Sequence, residues 1–220
     1  MKTARHVKDQ IEERLPDLNE AFKENKNSFE EQRILEVRQV ALNMVEIYKR
    51  EIARLMSCKN LYELLTAHME GSIFSEHMQY VLRFFSERGA DSKMKWEMAM
   101  RFLNSEEFAE ILYVRVSSAA WAGISRRVGL GQREVAASDF NDVPIISLYA
   151  PYCDAMLIDN PMRDLMTTNP VKDYLKLKTR VFSPNCLDDF ISYIHDVINE
   201  LPKEFVAVVH EVRGEWKMAA

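Results

Sequence analysis

An apolar stripe that only a helix can align runs through residues 34 to 56. Its members recur at steps of three and four positions, and they are Ile34, Val37, Ala41, Met44, Val45, Tyr48, Ile52, Leu55 and Met56. This spacing predicts one continuous helix. Ser28, with Glu31 three residues later, has the pattern of a capping box, so we expect the helix to begin there and to reach about Ser57. A stripe of this length must be buried against other helices.

The composition supports a mainly helical chain. Of 220 residues only six are glycine and seven are proline, and Leu, Met, Glu, Lys and Arg dominate the first half. Capping residues and glycine stops predict further helices at about 61 to 69, 72 to 87, 92 to 103 and 106 to 128, with stops at Gly89 and Gly129. Residues 28–128 are therefore predicted to form a helical block. Residues 1–27 are a polar N-terminal segment in which Pro16 interrupts a weak helical pattern, so we expect a frayed helix and a linker.

After Gly129 the sequence predicts a small α/β part over residues 129–220. A loop leads to a short helix that begins at Asn141 or Asp142 and ends at Tyr149. "AMLI" and "TRVFS" are short apolar runs with helical "NPMRDLM" between them, which is the spacing of a βαβ unit with parallel strands. An amphipathic helix follows from residue 187, and Pro202 can open a last helix that carries Phe205, Val208, Val209 and Val212 on one face. The predicted class is α/β with a predominance of helix.

Charge, cysteine usage and hydropathy narrow the classes of function. The formal net charge of −5 disfavours broad electrostatic binding to nucleic acid or acidic membranes, although a local basic patch is compatible with an acidic total. Cys58, Cys153 and Cys186 lie far apart without C-x-x-C spacing, which predicts reduced thiols rather than a disulfide framework or a zinc site. The charged N-terminal region and the lack of any run of about 18 apolar residues favour a cytoplasmic protein without membrane contact.

Two aspartates flank the predicted α/β elements in a way that can bring them together. Asp142 stands at the N-terminus of the short helix, and Asp159 follows "AMLI" at the carboxyl edge of the sheet, where α/β proteins keep their sites. Two ionised carboxylates about 4 Å apart repel by roughly 4 kcal/mol at an effective dielectric constant of about 20, so a shared crevice favours Mg²⁺ or Mn²⁺. The alternative is structural, with Asp142 as an N-cap, Asp154 as a turn residue and Asp159 as a strand terminator.

Three arginines just before these acids are candidates for contact with a phosphate backbone. They are Arg126, Arg127 and Arg133. The alternative is a solvated helix end whose positive charges complement the helix dipole. Other motifs indicate no site, because "GLGQR" lacks the Lys-Ser or Lys-Thr of a phosphate-cradling loop and no histidines fall in H-x-x-x-H or H-E-x-x-H spacing.

The stretch "SDFNDVPIISLYAPYCDAMLIDNPMRDLM", followed by "TRVFSPNCLDDFISYI", resembles the C-terminal half of bacterial PIN-like domains, and the resemblance covers about residues 107 to 195. It implies an α/β fold around a parallel sheet and the activity of a metal-dependent ribonuclease whose clustered acids hold Mg²⁺ or Mn²⁺. By motif, Asp142 resembles the acid that opens a helix and Asp159 the acid that follows a strand, so both are the implied catalytic and metal-binding residues. Asp154 lies in the same stretch and is a further candidate ligand.

The chain departs from the PIN-like pattern at its start, where charged helix stands in place of a first strand ending in an aspartate. No motif separates Glu106, Glu107 and Glu110 as candidates for a second acid on a helix, and we take Glu107 and Glu110 as candidate metal ligands. We therefore expect a PIN-like ribonuclease or a truncated remnant of one, with weak binding of Mg²⁺ or Mn²⁺ and RNA as the implied partner. A different class of function is a non-catalytic helical scaffold or protein-interaction module, in which residues 28–128 contact a protein partner or a second copy.

Overall fold

The computed structural model describes residues 4–69 and 72–202, together with Glu204 and Ala207. Its first seven helices are α1 (Ala4–Glu24), α2 (Phe29–Met56), α3 (Leu61–Met69), α4 (Ile73–Ser86), α5 (Ser92–Leu103), α6 (Glu106–Ala109) and α7 (Leu112–Gly129). The remaining elements are α8 (Asp139–Tyr149), β1 (Ala155–Leu157), α9 (Asn160–Thr167), α10 (Val171–Leu175), β2 (Arg180–Phe182), a 3-10 helix (Pro184–Cys186) and α11 (Leu187–Glu200). The described chain is predominantly helical with a small parallel sheet, as the sequence predicts.

The early helices of the helical block begin and end where local sequence signals predict. Ser28 Oγ accepts a hydrogen bond from the Glu31 N–H (3.3 Å), and Glu31 Oε2 accepts one from the Ser28 N–H (2.8 Å), which completes the capping box of α2. Asn60 Oδ1 caps α3 by accepting from the Glu63 N–H (2.9 Å). Gly89, with φ +87°, adopts the left-handed conformation of a helix stop after α4. These ends are therefore fixed by contacts within a few residues.

The prediction of one helix over residues 106–128 is wrong, because the helix is interrupted at Glu110 and Ile111. Ile111 has φ −56° and ψ 124°, which lies outside the helical region. Phe108 before the break and Val114 after it are buried in the same apolar cluster. Six positions apart on one continuous helix, these side chains would point about 120° apart. The break allows both to enter the same core.

The residue that stops α7 is Gly131 rather than the predicted Gly129. Gly131 has φ +66°, and its N–H donates to the Val128 carbonyl (2.9 Å). Gly129 is still helical, and a Cβ at this position would lie 3.2 Å from the Phe22 carbonyl oxygen. Because Gly129 has no side chain, α1 can approach α7 closely at this position. The local sequence pattern does not reveal this contact.

Helix α1 continues through Pro16, which the sequence pattern marks as an interruption. Proline removes one helical hydrogen bond, yet α1 gains contacts from the rest of the fold. The buried Asn19 donates from Nδ2 to the Leu15 carbonyl (3.0 Å) and accepts at Oδ1 from the Val135 N–H (2.7 Å). Phe22 packs against the apolar cluster around α7. These tertiary contacts offset the proline and make α1 an integral helix.

The sheet is the parallel pair that the sequence predicts. β1 and β2 pair with Ala155 opposite Arg180, Met156 opposite Val181 and Leu157 opposite Phe182. Helices α9 and α10 form the crossover between the strands, and α11 is the predicted amphipathic helix after residue 187. Most of the last predicted helix, including Phe205, Val208, Val209 and Val212, lies outside the described residues.

Two buried apolar clusters share α7. The helical-block core comprises Val37, Ala41, Met44, Val45, Met78, Leu82, Ala99, Leu103, Phe108 and Val114. The C-terminal core comprises Val116, Ala119, Ala120, Ile124, Val128, Val135, Val143, Ile146, Ala150, Met162, Leu165, Met166, Val171 and Leu175. At Gly123 the approach of α9 and α10 to α7 is so close that a Cβ would lie 2.5 Å from Val171 Cγ2 and 2.9 Å from Leu165 Cδ1. The C-terminal core thereby fixes the helices that carry the candidate acids.

Candidate functional site

The two acids that the sequence singles out lie at the N-terminal ends of two helices of the C-terminal part. Asp142 is half-buried in the first turn of α8. Asp159 is exposed and is the N-cap of α9, with its Oδ1 accepting from the Met162 N–H (2.8 Å). Asp159 stands shortly after the end of β1 and therefore at the carboxyl edge of the sheet, as predicted.

Asp142 lies within the electrostatic influence of Asp159. The pKa of Asp142 is raised above its ordinary value by burial first, and then by the negative charges of Asp159 and Asp139. A hydrogen bond with the Ser138 side chain and the charge of Arg133 act in the opposite direction. Asp159 thus serves as a helix cap, and its charge also acts on Asp142.

Helix α8 opens at Asp139, not at the predicted Asn141 or Asp142, and Asp139 is a site residue that sequence reasoning missed. Its side chain is 2% exposed. The carboxylate accepts from Arg133 Nη2 at 2.7 and 2.6 Å and from the Ala136 N–H at 2.9 Å. The available signal was an arginine placed six residues before an aspartate at a helix start, which is too common to single out this pair.

The Asp139 contact changes the role predicted for Arg133. Its side chain is only 14% exposed, and its guanidinium forms the ion pair with Asp139 while Nε donates to the Glu134 carbonyl (3.1 Å). A guanidinium bound in this way is not presented to a phosphate backbone. Arg133 instead fixes the start of α8 and with it the position of Asp142.

The structure does not bring Glu107 and Glu110 to the aspartate pair. Glu107 is exposed on α6, where a hydrogen bond from Ser105 lowers its pKa, and Glu110 forms an ion pair with Arg115 (3.5 Å). Glu107 and Glu110 come before α7 in the chain, whereas Arg133 and the helix α8 that it contacts come after α7. The 18 residues of α7 span about 27 Å, so these glutamates lie near the opposite end of that helix.

Asp154 also lies apart from the pair. It precedes β1, and its carbonyl accepts from the Arg180 N–H (2.8 Å), which starts the ladder between the strands. Asp159 follows the same strand, and five extended residues span about 16 Å. Asp154 is therefore at the amino edge of the sheet, while Asp159 is at the carboxyl edge.

The two remaining arginines lie at the C-terminal end of α7 and differ in their contacts. Arg127 donates from Nη1 to Asp164 Oδ2 (2.6 Å) and from Nη2 to Thr168 Oγ1 (2.5 Å), and its side chain is 18% exposed. Arg126 is exposed beside it. This end of α7 therefore carries positive charge, as both the phosphate-binding and the helix-dipole interpretations predict.

The described residues contain no recognisable metal cluster, and the chain has no match among known proteins that would identify the site. Within residues 4–69 and 72–202, no three His, Cys, Asp or Glu side chains are grouped closely enough to hold a metal ion. None of the described helices has the length and apolar character needed to cross a bilayer. No protein-family model matches the chain, and no curated protein or solved structure matches it.

Proposed function

We propose that the chain carries part of a PIN-like, metal-dependent ribonuclease site in which Asp142 and Asp159 are the catalytic and metal-binding acids. The observation that carries this proposal is the placement of Asp142 in the first turn of α8 and of Asp159 at the N-cap of α9, where the charge of Asp159 contributes to the raised pKa of Asp142. A divalent cation between such groups relieves their repulsion, and carboxylate oxygens are ligands that Mg²⁺ and Mn²⁺ prefer. The pair comes from two helices, and this is an arrangement that capping alone does not require.

The donor set fits such a cation only in part. Mg²⁺ takes a near-octahedral shell of oxygen ligands, and two carboxylates leave most of that shell to water. Asp139, although it lies near enough to raise the pKa of Asp142, uses its oxygens to accept from Arg133 and from the Ala136 N–H. We therefore expect Mg²⁺ or Mn²⁺ to bind weakly.

The residues of the chain position the two acids for this chemistry. When bound, the cation would activate water and stabilise the charge that develops on a scissile phosphate. The buried Arg133–Asp139 pair holds the first turn of α8, and the Met162 N–H orients the Asp159 carboxylate. Because cleavage requires the cation to be fixed near the phosphate, we expect little or no ribonuclease activity from a site that lacks further ligands.

Manganese titration tests the metal-binding part of the proposal. Electron paramagnetic resonance measures free Mn²⁺ in the presence of the chain and of three variants, Asp142→Asn, Asp159→Asn and Asp154→Asn. We expect weak binding that is lost in the first two variants and retained in the third, because Asp154 lies at the other edge of the sheet. Equal binding by all four proteins would contradict the proposal.

Incubation with single-stranded RNA and Mn²⁺ tests the statement that the site is incomplete. The chain is compared with Asp159→Asn, and the expected result is the same low background in both. Robust cleavage that disappears in Asp159→Asn would show that the site is complete, with further ligands supplied by groups other than Asp142 and Asp159.

A protein-interaction module is a second candidate, favoured by the exposed apolar side chains around α3. Leu61, Tyr62 and Leu65 are 70%, 80% and 54% exposed, and Met56 just before them is 83% exposed. Exposed apolar groups in one region are typical of contact surfaces. Sedimentation velocity of the chain and of a Leu61→Glu, Leu65→Glu variant tests for self-association through α3. A concentration-dependent shift lost in the variant supports this candidate, and identical monomeric behaviour speaks against self-association.

A further inference from the structure

A cavity of about 230 Å³ lies between the C-terminal end of α7 and the connection from α9 to α10. The polar part of its lining consists of Arg126, Arg127, Gln132, Thr168 and Asn169. This volume is below the roughly 300 to 1,000 Å³ of pockets that take drug-sized ligands. The cavity therefore suits a small polar group rather than a whole nucleoside.

The charge of the lining is positive. No Asp or Glu is among the described residues that line the cavity. Arg127 is offset by Asp164, whose side chain is 63% exposed outside the lining. Arg126 is exposed, and no hydrogen bond or ion pair among the described residues involves its guanidinium. Arg126 thus supplies the uncompensated charge, and Arg127 supplies a guanidinium held in a fixed orientation.

The backbone at this helix end does not oppose an anion as strongly as an open C-terminus would. The Val128 carbonyl accepts from the Gly131 N–H (2.9 Å), and the Arg127 carbonyl accepts from the Gln132 N–H (2.9 Å). These bonds are those of a Schellman motif, which satisfies carbonyl groups that a helix otherwise leaves open. The donors of Arg126, Gln132 and Asn169 remain as the groups that a ligand can meet.

We propose that this cavity binds a phosphate group of a single-stranded RNA backbone, with Arg126 as the main donor and the side-chain amides of Gln132 and Asn169 as further donors. The identity of the ligand rests on the proposed function, because a ribonuclease must hold the strand beyond the phosphate that it cleaves. Guanidinium groups match phosphate oxygens in geometry and charge. Asp164, which fixes Arg127, lies five residues after Asp159 on α9, about 7.5 Å along the helix axis. Free orthophosphate has the same chemistry and is separated from RNA in the experiment.

Fluorescence anisotropy with a labelled oligouridylate in the presence of EDTA measures RNA binding without metal. Arg126→Gln removes the uncompensated charge, and Gln132→Glu adds a negative charge to the lining. Lys93→Gln is the matched control, since Lys93 is 88% exposed on α5. We expect Arg126→Gln to weaken binding by at least about tenfold, because a charge-assisted hydrogen bond contributes about 1.5 to 3 kcal/mol. The slope of log affinity against log salt should fall by about 0.7, as for one lost phosphate contact on a single strand.

The EDTA in this assay separates the proposal from the proposed function. Because no divalent cation is present, a loss of RNA binding in Arg126→Gln does not depend on whether Asp142 and Asp159 hold Mn²⁺. Equal affinity of the unaltered chain and Arg126→Gln, or an equal loss in Lys93→Gln, would overturn the phosphate site whatever the metal does.

Amide signals report the ligand directly. The side-chain NH₂ resonances of Gln132 and Asn169 should shift on addition of oligouridylate and not in Arg126→Gln. Shifts caused by orthophosphate alone, with none caused by oligouridylate, would assign the cavity to a free anion and overturn its role in holding RNA.

Discussion

The two cores that share α7 bury their groups in different ways. The helical-block core is made of aliphatic and aromatic side chains such as Met78, Leu103 and Phe108. Both parts bury neutral polar residues, for example Ser75 in the helical block and Ser147 in the C-terminal part. Among the described residues, the one buried charged side chain is Asp139 of the C-terminal part, and its carboxylate accepts from Arg133.

This difference is consistent with the proposed site in the C-terminal part. An apolar core needs only shape and volume, whereas a buried carboxylate needs a specific charged partner in a specific position. Asp142 and Asp159 lie in the same part of the molecule as the buried ion pair of Asp139 with Arg133. Departures from a simple apolar pattern are expected at functional sites. Substitutions in either core test this difference between the two parts.

The largest effect is expected from Asp139→Ala. It leaves the Arg133 guanidinium, only 14% exposed, without its partner. Breaking a buried ion pair in this way costs about 3 to 5 kcal/mol of the free energy of unfolding, which urea denaturation measures.

The matched control for this ion pair replaces both partners with apolar residues. Asp139→Leu combined with Arg133→Met should recover much of the stability lost in Asp139→Ala, because no unpaired charge remains. A loss below about 1 kcal/mol in Asp139→Ala would show that the pair is solvated and that the contrast between the cores is false.

Leu103→Ala is expected to destabilise the helical-block core by about 2 to 5 kcal/mol. Leu103 is 2% exposed, so the truncation leaves a cavity among apolar neighbours. Urea denaturation should show this loss without any change in the binding of Mn²⁺ at the remote acids. Loss of metal binding in a folded Leu103→Ala protein would contradict the separation of the two parts.

Gly123→Ala is expected to destabilise the C-terminal core by about 1 to 3 kcal/mol through overpacking. The added Cβ would lie 2.5 Å from Val171 Cγ2, so α9 and α10 must move away from α7. Gly131→Ala is the control, since a Cβ there meets nothing within 4 Å and only the left-handed backbone is strained. A Gly123→Ala protein with unaltered thermal stability would contradict the close packing.

The smallest effect concerns the pH dependence of stability. The pKa of Asp142 is higher in the folded chain than its ordinary value, so the folded state holds this proton more firmly. The stability that Asp142 contributes is therefore lost as pH rises from its ordinary pKa through the raised one. Asp142→Asn should stabilise the protein slightly at neutral pH and not in acid, as measured by urea denaturation at both. Destabilisation at neutral pH would contradict this sign.

The sequence predicts the elements whose determinants are local. The capping box at Ser28 and Glu31 and the stop at Gly89 depend on neighbouring residues, and these signals correctly place the start of α2 and the end of α4. The parallel pairing of "AMLI" with "RVF" also follows from the order of short apolar runs. In the site, the same local rules place Asp142 in the first turn of a helix and Asp159 after a strand.

The remaining features depend on contacts between distant segments. The break before α7 serves the burial of both Phe108 and Val114, and the continuation of α1 past Pro16 depends on the contact of Asn19 with Val135. The ion pair of Arg133 with Asp139 is likewise a tertiary feature, and it removes Arg133 from the set of candidate phosphate ligands. None of these contacts is marked by a local pattern.

Carboxyl-detected NMR titration tests the central claim, that Asp142 and Asp159 share one crevice. The pKa of Asp142 is measured in the unaltered chain, in Asp159→Asn and in Asp154→Asn as the matched control. We predict that the pKa of Asp142 falls toward its ordinary value in Asp159→Asn, although burial keeps it raised in part, and that it stays unchanged in Asp154→Asn. An Asp142 pKa that is the same in all three proteins would show that the two carboxylates are too far apart to share a cation.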